Sequence, residues 1–285
     1  MDRISVKANA KINLGLDIVG TRNDGYHLLK TVMQSVSLYD IITLEKSDKI
    51  SVKCSDEMLP CGEQNLAFKA AKLFFEETKI VGGVKISIEK NIPSQAGLGG
   101  GSADAAGTIF ALNKLYNTDL SDERLCEIGE KVGSDVPFCI VGGTKLCEGI
   151  GEKLTSLKPV SDMKIVISKG SDGISTIEAY KTYDKLQGIK HPDIDMLVNA
   201  INNGEKFYSL CGNVLELTAF LATVDEIKET MIELGAENSV MTGSGSAVFG
   251  IFDNEKLAEK CCENLKKSGL FATVSVPTEC GIEII

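Results

Sequence analysis

The sequence predicts an α+β fold divided into two domains, and three observations carry that expectation. Segments of strand and helix character mix without the strict β-α-β rhythm of a doubly wound sheet. The 285 residues suit two domains that share an interface better than one. A loop around Pro159 separates the first half from a fresh β-rich run at residues 164–168, which puts the domains at 1–156 and 157–285.

Taken in order, residues 4–16 and 41–45 alternate or run apolar as strands do, with a turn-forming Arg22-Asn23-Asp24-Gly25 between them. Residues 65–77 read as a helix, because Leu66, Ala70, Leu73 and Phe74 share one face. A strand at 85–89 leads to a glycine-rich stretch, after which Ala105, Ile109, Leu112 and Tyr116 recur at helical spacing. Ser121 is a candidate N-cap, with Asp122 and Glu123 complementing the helix dipole and Gly133 as the stop. The second half offers helices at 225–234 and 255–267 and strands at 247–252 and 272–277.

Composition is ordinarily globular, 43% hydrophobic and 25% charged, and the net charge is −10. An acidic chain is poorly suited to nucleic acid or to an anionic membrane surface, so neither is expected as a partner. Nine cysteines without a C-x-x-C pair, beside only His27 and His191, argue against a zinc site and suit a reducing, cytoplasmic compartment. The opening MDRISVKANAK does not read as a secretory signal, and no apolar run is long enough to span a membrane.

The most informative stretch is IPSQAGLGGGSADAAG, residues 92–107, with glycines at 97, 99, 100 and 101 followed by Ser102. A strand, a glycine turn and a helix make a phosphate cradle, because the helix N-terminus leaves amides unpaired and its dipole favours an anion. Ser102 can add a hydroxyl to a phosphate oxygen or to Mg²⁺. The stretch is not a P-loop, since Ala103 stands where the lysine would follow, and Ser102 fills the third glycine slot of a dinucleotide fingerprint.

Three more stretches accompany it: AKINLGLDIVGTRNDGYH (10–27), GSDVPF (133–138) and TGSGSAVFG (242–250), with GEQNLAFKAAKL (62–73) between the first two. In order and spacing they resemble the motifs of the GHMP kinases, the galactokinase, homoserine kinase, mevalonate kinase and phosphomevalonate kinase superfamily. The opening stretch is similar to the branch that acts on a cytidine diphosphate-linked methylerythritol in the non-mevalonate isoprenoid route. The resemblance implies a two-domain GHMP kinase fold with its active site in the interdomain cleft, ATP and Mg²⁺ as cofactors, and that small molecule as substrate. It implies Asp135 as catalytic base and Lys11 as its electrostatic partner, so the cation comes from another strand. ATP would be bound by Pro93, Ser94, Gln95, Ala96, Gly97, Leu98, Gly99, Gly100, Gly101, Ser102 and Ala103, with Asn65 on the adenine side; Ser102 is the candidate Mg²⁺ ligand.

On the substrate side the resemblance implies Asn13 near the reacting end and Tyr26 and His27 at the cytosine. Thr176 and Tyr180 follow, Tyr180 as the ring opposing Tyr26, and Thr242, Gly243, Ser244 and Gly245 as the second turn. The chain departs from the family pattern at Asn9, often proline, at Ser94-Gln95, and at Ser134, often alanine; none removes a reacting group. Alternatives are another GHMP kinase, of the mevalonate or homoserine type, or a non-catalytic nucleotide sensor of the same fold. The expected assembly is a monomer or homodimer.

Overall fold

The computed structural model describes residues 2–285 and contains two antiparallel-rich sheets with helices laid against them. Two long strands come first, β1 (Arg3–Thr21) and β2 (His27–Ser47), followed by β3 (Ser51–Cys54), α1 (Leu66–Thr78), β4 (Gly83–Glu89), α2 (Gly100–Leu115), α3 (Asp122–Glu130) and α4 (Val136–Val141). A hairpin of β5 (Thr144–Gly149) and β6 (Lys153–Ser156) precedes β7 (Lys164–Lys169), α5 (Thr176–Tyr183), α6 (Ile194–Asn203) and the two-residue β8 (Gly212–Asn213). The chain closes with α7 (Ala222–Glu233), β9 (Asn238–Met241), β10 (Val248–Phe252), α8 (Glu255–Lys267), β11 (Phe271–Ser275) and β12 (Ile282–Ile284).

The larger sheet runs β12-β1-β2-β4-β3, with β5 and β6 continuing from β2 and β8 pairing in parallel with β1; the smaller runs β11-β7-β10-β9, antiparallel throughout. Strand periodicity divides the smaller sheet between two cores. Val166, Val248 and Phe252 face Ala258, Cys261 and Leu265 of α8. Their neighbours Ile165, Ile167, Phe249 and Ile251 join the core of Val6, Ile12, Phe74 and Ile109 under the larger sheet. The division at 156/157 stays a proposal. β6 ends there and β7 opens the smaller sheet, yet β8 and β12 return to the larger one.

Helix boundaries follow side-chain chemistry. Asn65 accepts from Ala67 N–H (2.8 Å) at the start of α1, Ser121 accepts from Arg124 N–H at α3, and Asn254 caps α8. α3 stops at Glu130, short of Gly133, because Gly133 and Ser134 belong to the turn that opens α4. Among the described residues no helix is long and apolar enough to cross a membrane, and all nine cysteines carry free thiols.

A buried charge cluster absent from the sequence expectations fixes the segment between β4 and α2. Asp40 Oδ1 accepts from the backbone N–H of Asn91 (2.6 Å) and Ile92 (2.9 Å). Lys90 Nζ reaches Asp40 Oδ2 and also donates to Asp104 Oδ2 (2.8 Å), just past the first turn of α2. Burial works against the Lys90 charge, but Asp104 and Asp40 outweigh it and hold its pKa above the ordinary lysine value. Burial pushes the Asp104 carboxyl up to about 8 against the attraction of Lys90, and Asp104 Oδ1 has no hydrogen-bond partner.

An acid whose folded pKa lies above its unfolded one favours the fold while protonated and loses that advantage as the pH rises through the interval, here from about 4 to about 8. Asp104→Asn cannot ionise and keeps an acceptor for Lys90. Its stability relative to the parent chain is expected to rise across this window, by at most about 1.4 kcal/mol per pH unit, the limit for one proton. Urea melts of both proteins at pH 5 and pH 8 measure this; an unchanged difference would place the proton elsewhere.

Candidate active site

Between the two sheets lies an open cleft of about 1130 Å³. The glycine loop forms one wall. Its backbone is tied to β1 through Lys11 N–H and Leu98 O (3.0 Å), and to the turn before β10 through Ala247 N–H and Ala96 O (3.1 Å). Gly97 and Gly99 both take φ +71°, a region that suits glycine. Gly97 has a second reason, since a Cβ there would lie 2.0 Å from Thr242 O. Gly99 caps α2 without any side-chain acceptor, so first-turn amides remain for an anion.

Lys11 and Asn13 point the same way from β1, two residues apart in a strand. Lys11 Nζ donates to Asn13 Oδ1 (2.7 Å) and lies 3.6 Å from Asp135 Oδ2. A Cβ on Gly99 would come within 3.0 Å of the Lys11 stem, and one on Gly243 within 3.3 Å of Nζ. The lysine therefore sits where the opening strand, the glycine loop, the 242–245 turn and the Asp135 turn converge. Its side chain is 5% exposed and that of Asp135 29%, so the carboxylate faces the cleft and the ammonium stays behind it. Asp135 is the residue before α4 rather than one trailing a helix, and Gly151 of the β5–β6 turn lies beside it.

At the other end, His27 Nε2 donates to Asp184 Oδ1 (2.7 Å), and the imidazole stacks on Tyr180 with centroids 4.8 Å apart and planes at 22°. Burial, and then the Asp135 charge, push the Tyr180 hydroxyl well above the usual tyrosine range. Tyr26 is 62% exposed, with the Arg22 guanidinium 6.0 Å above its ring. Tyr180 thus stacks on His27, the chain neighbour of the Tyr26 ring that the resemblance sets it to oppose. Thr176 and Ser244 hydroxyls meet at 2.9 Å, joining the start of α5 to the 242–245 turn.

Most of the residues singled out from sequence line this cleft: the loop from Pro93 to Ser102, Asn65, Lys11, Asn13, Tyr26, His27, Asp135, Thr176, Tyr180 and residues 243–245. Two do not. Ala103 is buried, its N–H spent on Gly99 O (2.8 Å), and Thr242 is buried, accepting from Asn13 N–H (3.0 Å). Asn65 spends its side chain capping α1 and donating to Pro60 O. Sequence reasoning missed Asp40, Lys90, Asp104, Thr31 and Asp184. Lys90 and Asp104 had a signal, charges flanking the glycine loop, with Asp104 inside an otherwise small and apolar helix face. Among the described residues no group of three or more His, Cys, Asp or Glu is placed to hold a metal.

The model for the GHMP kinases N terminal domain matches residues 65–143, and that for GHMP kinases C terminal matches 186–269. The 4-diphosphocytidyl-2-C-methyl-D-erythritol kinase of Clostridium beijerinckii is 46% identical over 269 residues, covering 93% of this chain and 96% of that protein. The enzyme of the same name from Clostridium novyi is 47% identical over 265 residues, covering 91% and 95%. The chain belongs to the 4-diphosphocytidyl-2-C-methyl-D-erythritol kinase family of GHMP kinases.

The crystal structure of a 4-(cytidine 5'-diphospho)-2C-methyl-D-erythritol kinase superimposes with a TM-score of 0.80 at 32% identity, covering 96% of this chain and 99% of that one. A homoserine kinase from Cytophaga hutchinsonii also reaches a TM-score of 0.80, at 20% identity and covering 100% and 98%, which speaks to fold alone. Backbone shape therefore does not separate this kinase family from its GHMP neighbours. The sequence identity does.

For this GHMP kinase the joint between glycine loop and 242–245 turn is testable. Gly97→Ala combines a positive φ with a Cβ driven into Thr242 O. It is expected to cost more than about 1 kcal/mol of stability and to weaken ATP binding severalfold. Denaturant melts and an ATP titration check both; parent values for each would show that the two segments are not locked together.

Proposed function

We propose that the protein transfers the γ-phosphoryl group of ATP to the 2-hydroxyl of 4-diphosphocytidyl-2-C-methyl-D-erythritol, a step of the non-mevalonate route to isoprenoid precursors. The observation that carries this reading is the Lys11–Asp135 pair, 3.6 Å apart, with an uncapped helix N-terminus on one side and the His27–Tyr180 stack on the other. Phosphoryl transfer asks the protein mainly to position and to neutralise. First-turn amides of α2 and the Ser102 hydroxyl hold the phosphates. Asp135 accepts the proton of the 2-hydroxyl as its oxygen forms a bond to the γ-phosphorus, the bond to the bridging oxygen breaks, and ADP leaves. Lys11, fixed behind the carboxylate, stabilises the charge that develops on the attacking oxygen and the transferring group.

Mg²⁺ fits as an ion carried in by ATP, with Ser102 the hydroxyl able to reach it, because the phosphates supply the oxygen donors that magnesium prefers and Asp104 is held by Lys90. When bound it offsets phosphate charge. At the distal end, His27 Nε2–H donates to Asp184, the tautomer that leaves Nδ1 as an acceptor. That matches the exocyclic amine of cytosine, and the exposed Tyr26 ring offers a face for stacking.

A coupled assay of ADP release tests the reading, comparing the cytidyl substrate with mevalonate and homoserine. Turnover with the cytidyl compound alone is expected; activity on either small alcohol instead would overturn it, and no ADP from any of them would favour a nucleotide sensor. Asp135→Asn is expected to lower kcat by about 10²–10⁴-fold with substrate binding retained. His27→Ala is expected to raise KM for the cytidyl substrate about tenfold, with kcat little changed, as loss of one hydrogen bond to a bound ligand implies. A normal KM with collapsed turnover would contradict the role given to His27.

A further inference from the structure

Thr31 lies on β2 opposite Leu16 and is fully buried. Its Oγ1 is 2.6 Å from Gly15 O, an atom that can only accept, so the hydroxyl proton is committed there. The Thr31 oxygen is left as an acceptor, and Asn13 Nδ2 faces it at 2.8 Å. That choice fixes the far end of the amide: Asn13 Oδ1 meets Lys11 Nζ at 2.7 Å, with Thr242 Oγ1 at 3.3 Å. Turned by half a rotation, the amide would set its NH₂ against the ammonium and its oxygen against the Thr31 oxygen, two mismatches between buried side chains.

We propose that Thr31 is a positioning residue for phosphoryl transfer: through its committed hydroxyl it sets the orientation of the Asn13 amide, and the amide holds the Lys11 ammonium beside Asp135. Gly15, Thr31, Asn13 and Lys11 form one directed chain, in which each hydrogen bond decides the polarity of the next. The inference rests on the reading of Lys11 as the electrostatic partner of Asp135.

The test compares Thr31→Val, which keeps the shape and loses the hydroxyl, with Thr31→Ser, which keeps the hydroxyl and loses the methyl. Thr31→Val is expected to lower kcat about tenfold or more, equivalent to about 1.4 kcal/mol of transition-state stabilisation, with KM for ATP within about twofold. Thr31→Ser is expected to stay within about threefold of the parent. In an Asn13→Ala background Thr31→Val should have no further effect on kcat, because its influence passes through the amide.

Parent-like turnover in Thr31→Val, equal losses in both variants, or additive losses in the double variant would each overturn the proposal. If Thr31→Val does not unfold cooperatively, Thr31→Ala takes its place with the same readouts. A parent chain that releases no ADP from the cytidyl substrate would instead overturn the functional reading. The relay is then read without turnover, from the Asn13 side-chain NH₂ resonances of the ligand-free protein. These are expected to shift in Thr31→Val and hold in Thr31→Ser; resonances unmoved in both would overturn the relay.

Discussion

Burying the Lys11 ammonium is the constraint on which the rest of the site depends. A cation removed from water costs several kcal/mol unless charge and hydrogen bonds replace its hydration. Here the replacements come from separate parts of the chain. Asn13 is on the same strand, Asp135 is at the start of α4, and Gly99 and Gly243 bring two backbone turns against the side chain. Because none of these can retreat without stranding the charge, the lysine fixes the relative placement of the elements around it. The bulges in the β1–β2 ladder at Asn9/Ala10 and Asn13/Gly15 flank this segment, and such irregularities re-aim side chains next to functional sites.

The glycine loop contributes in the opposite way, through backbone amides and not a buried charge, with Ala96 and Leu98 seating it on the core. Leu98 O and Ala96 O are spent on Lys11 N–H and Ala247 N–H, and Asp40 takes the amides of Asn91 and Ile92 just before the loop. The loop is therefore anchored through its carbonyls and its upstream amides. The first-turn amides of α2 are left unanchored, which is the polarity a phosphate needs. Ala103 marks where the cradle ends, since its N–H closes the first turn onto Gly99 O.

The parts of the fold legible in the sequence are those where one local rule suffices. α8 matches its expected span because an apolar stripe and an Asn254 cap agree, and the Ser121 cap of α3 is as expected. β8 and β12, two and three residues long, carry no periodicity; both exist because β1 has open edges for them. α4 is one short turn-and-a-half whose start was visible only as Val136-Pro137. In the site, the cleft-lining residues proposed to touch ligand sit in motifs and were legible. Those that act by orienting another side chain were not: Thr31 is an ordinary β-branched strand residue and Asp184 an exposed acid after α5. Their partners lie 18 and 157 residues away, a separation that only the tertiary fold closes.

An acidic chain that grips a polyphosphate raises a question of charge. The cleft is lined by Lys11, Lys90 and Lys181 against Asp24, Asp104, Asp135 and Asp184. Lys11 is opposed by Asp135 and Lys90 by two carboxylates, which leaves Lys181 as the one lining lysine without an ion pair among the described residues, against four lining aspartates. What remains attractive is directional: amide dipoles at the start of α2, effective only at contact. In the proposed reaction, a cation arriving with the nucleotide would complete the balance from outside. The arrangement favours an ATP complex that is already neutralised and correctly placed over polyanions at large, which is the selectivity an acidic metabolic kinase requires.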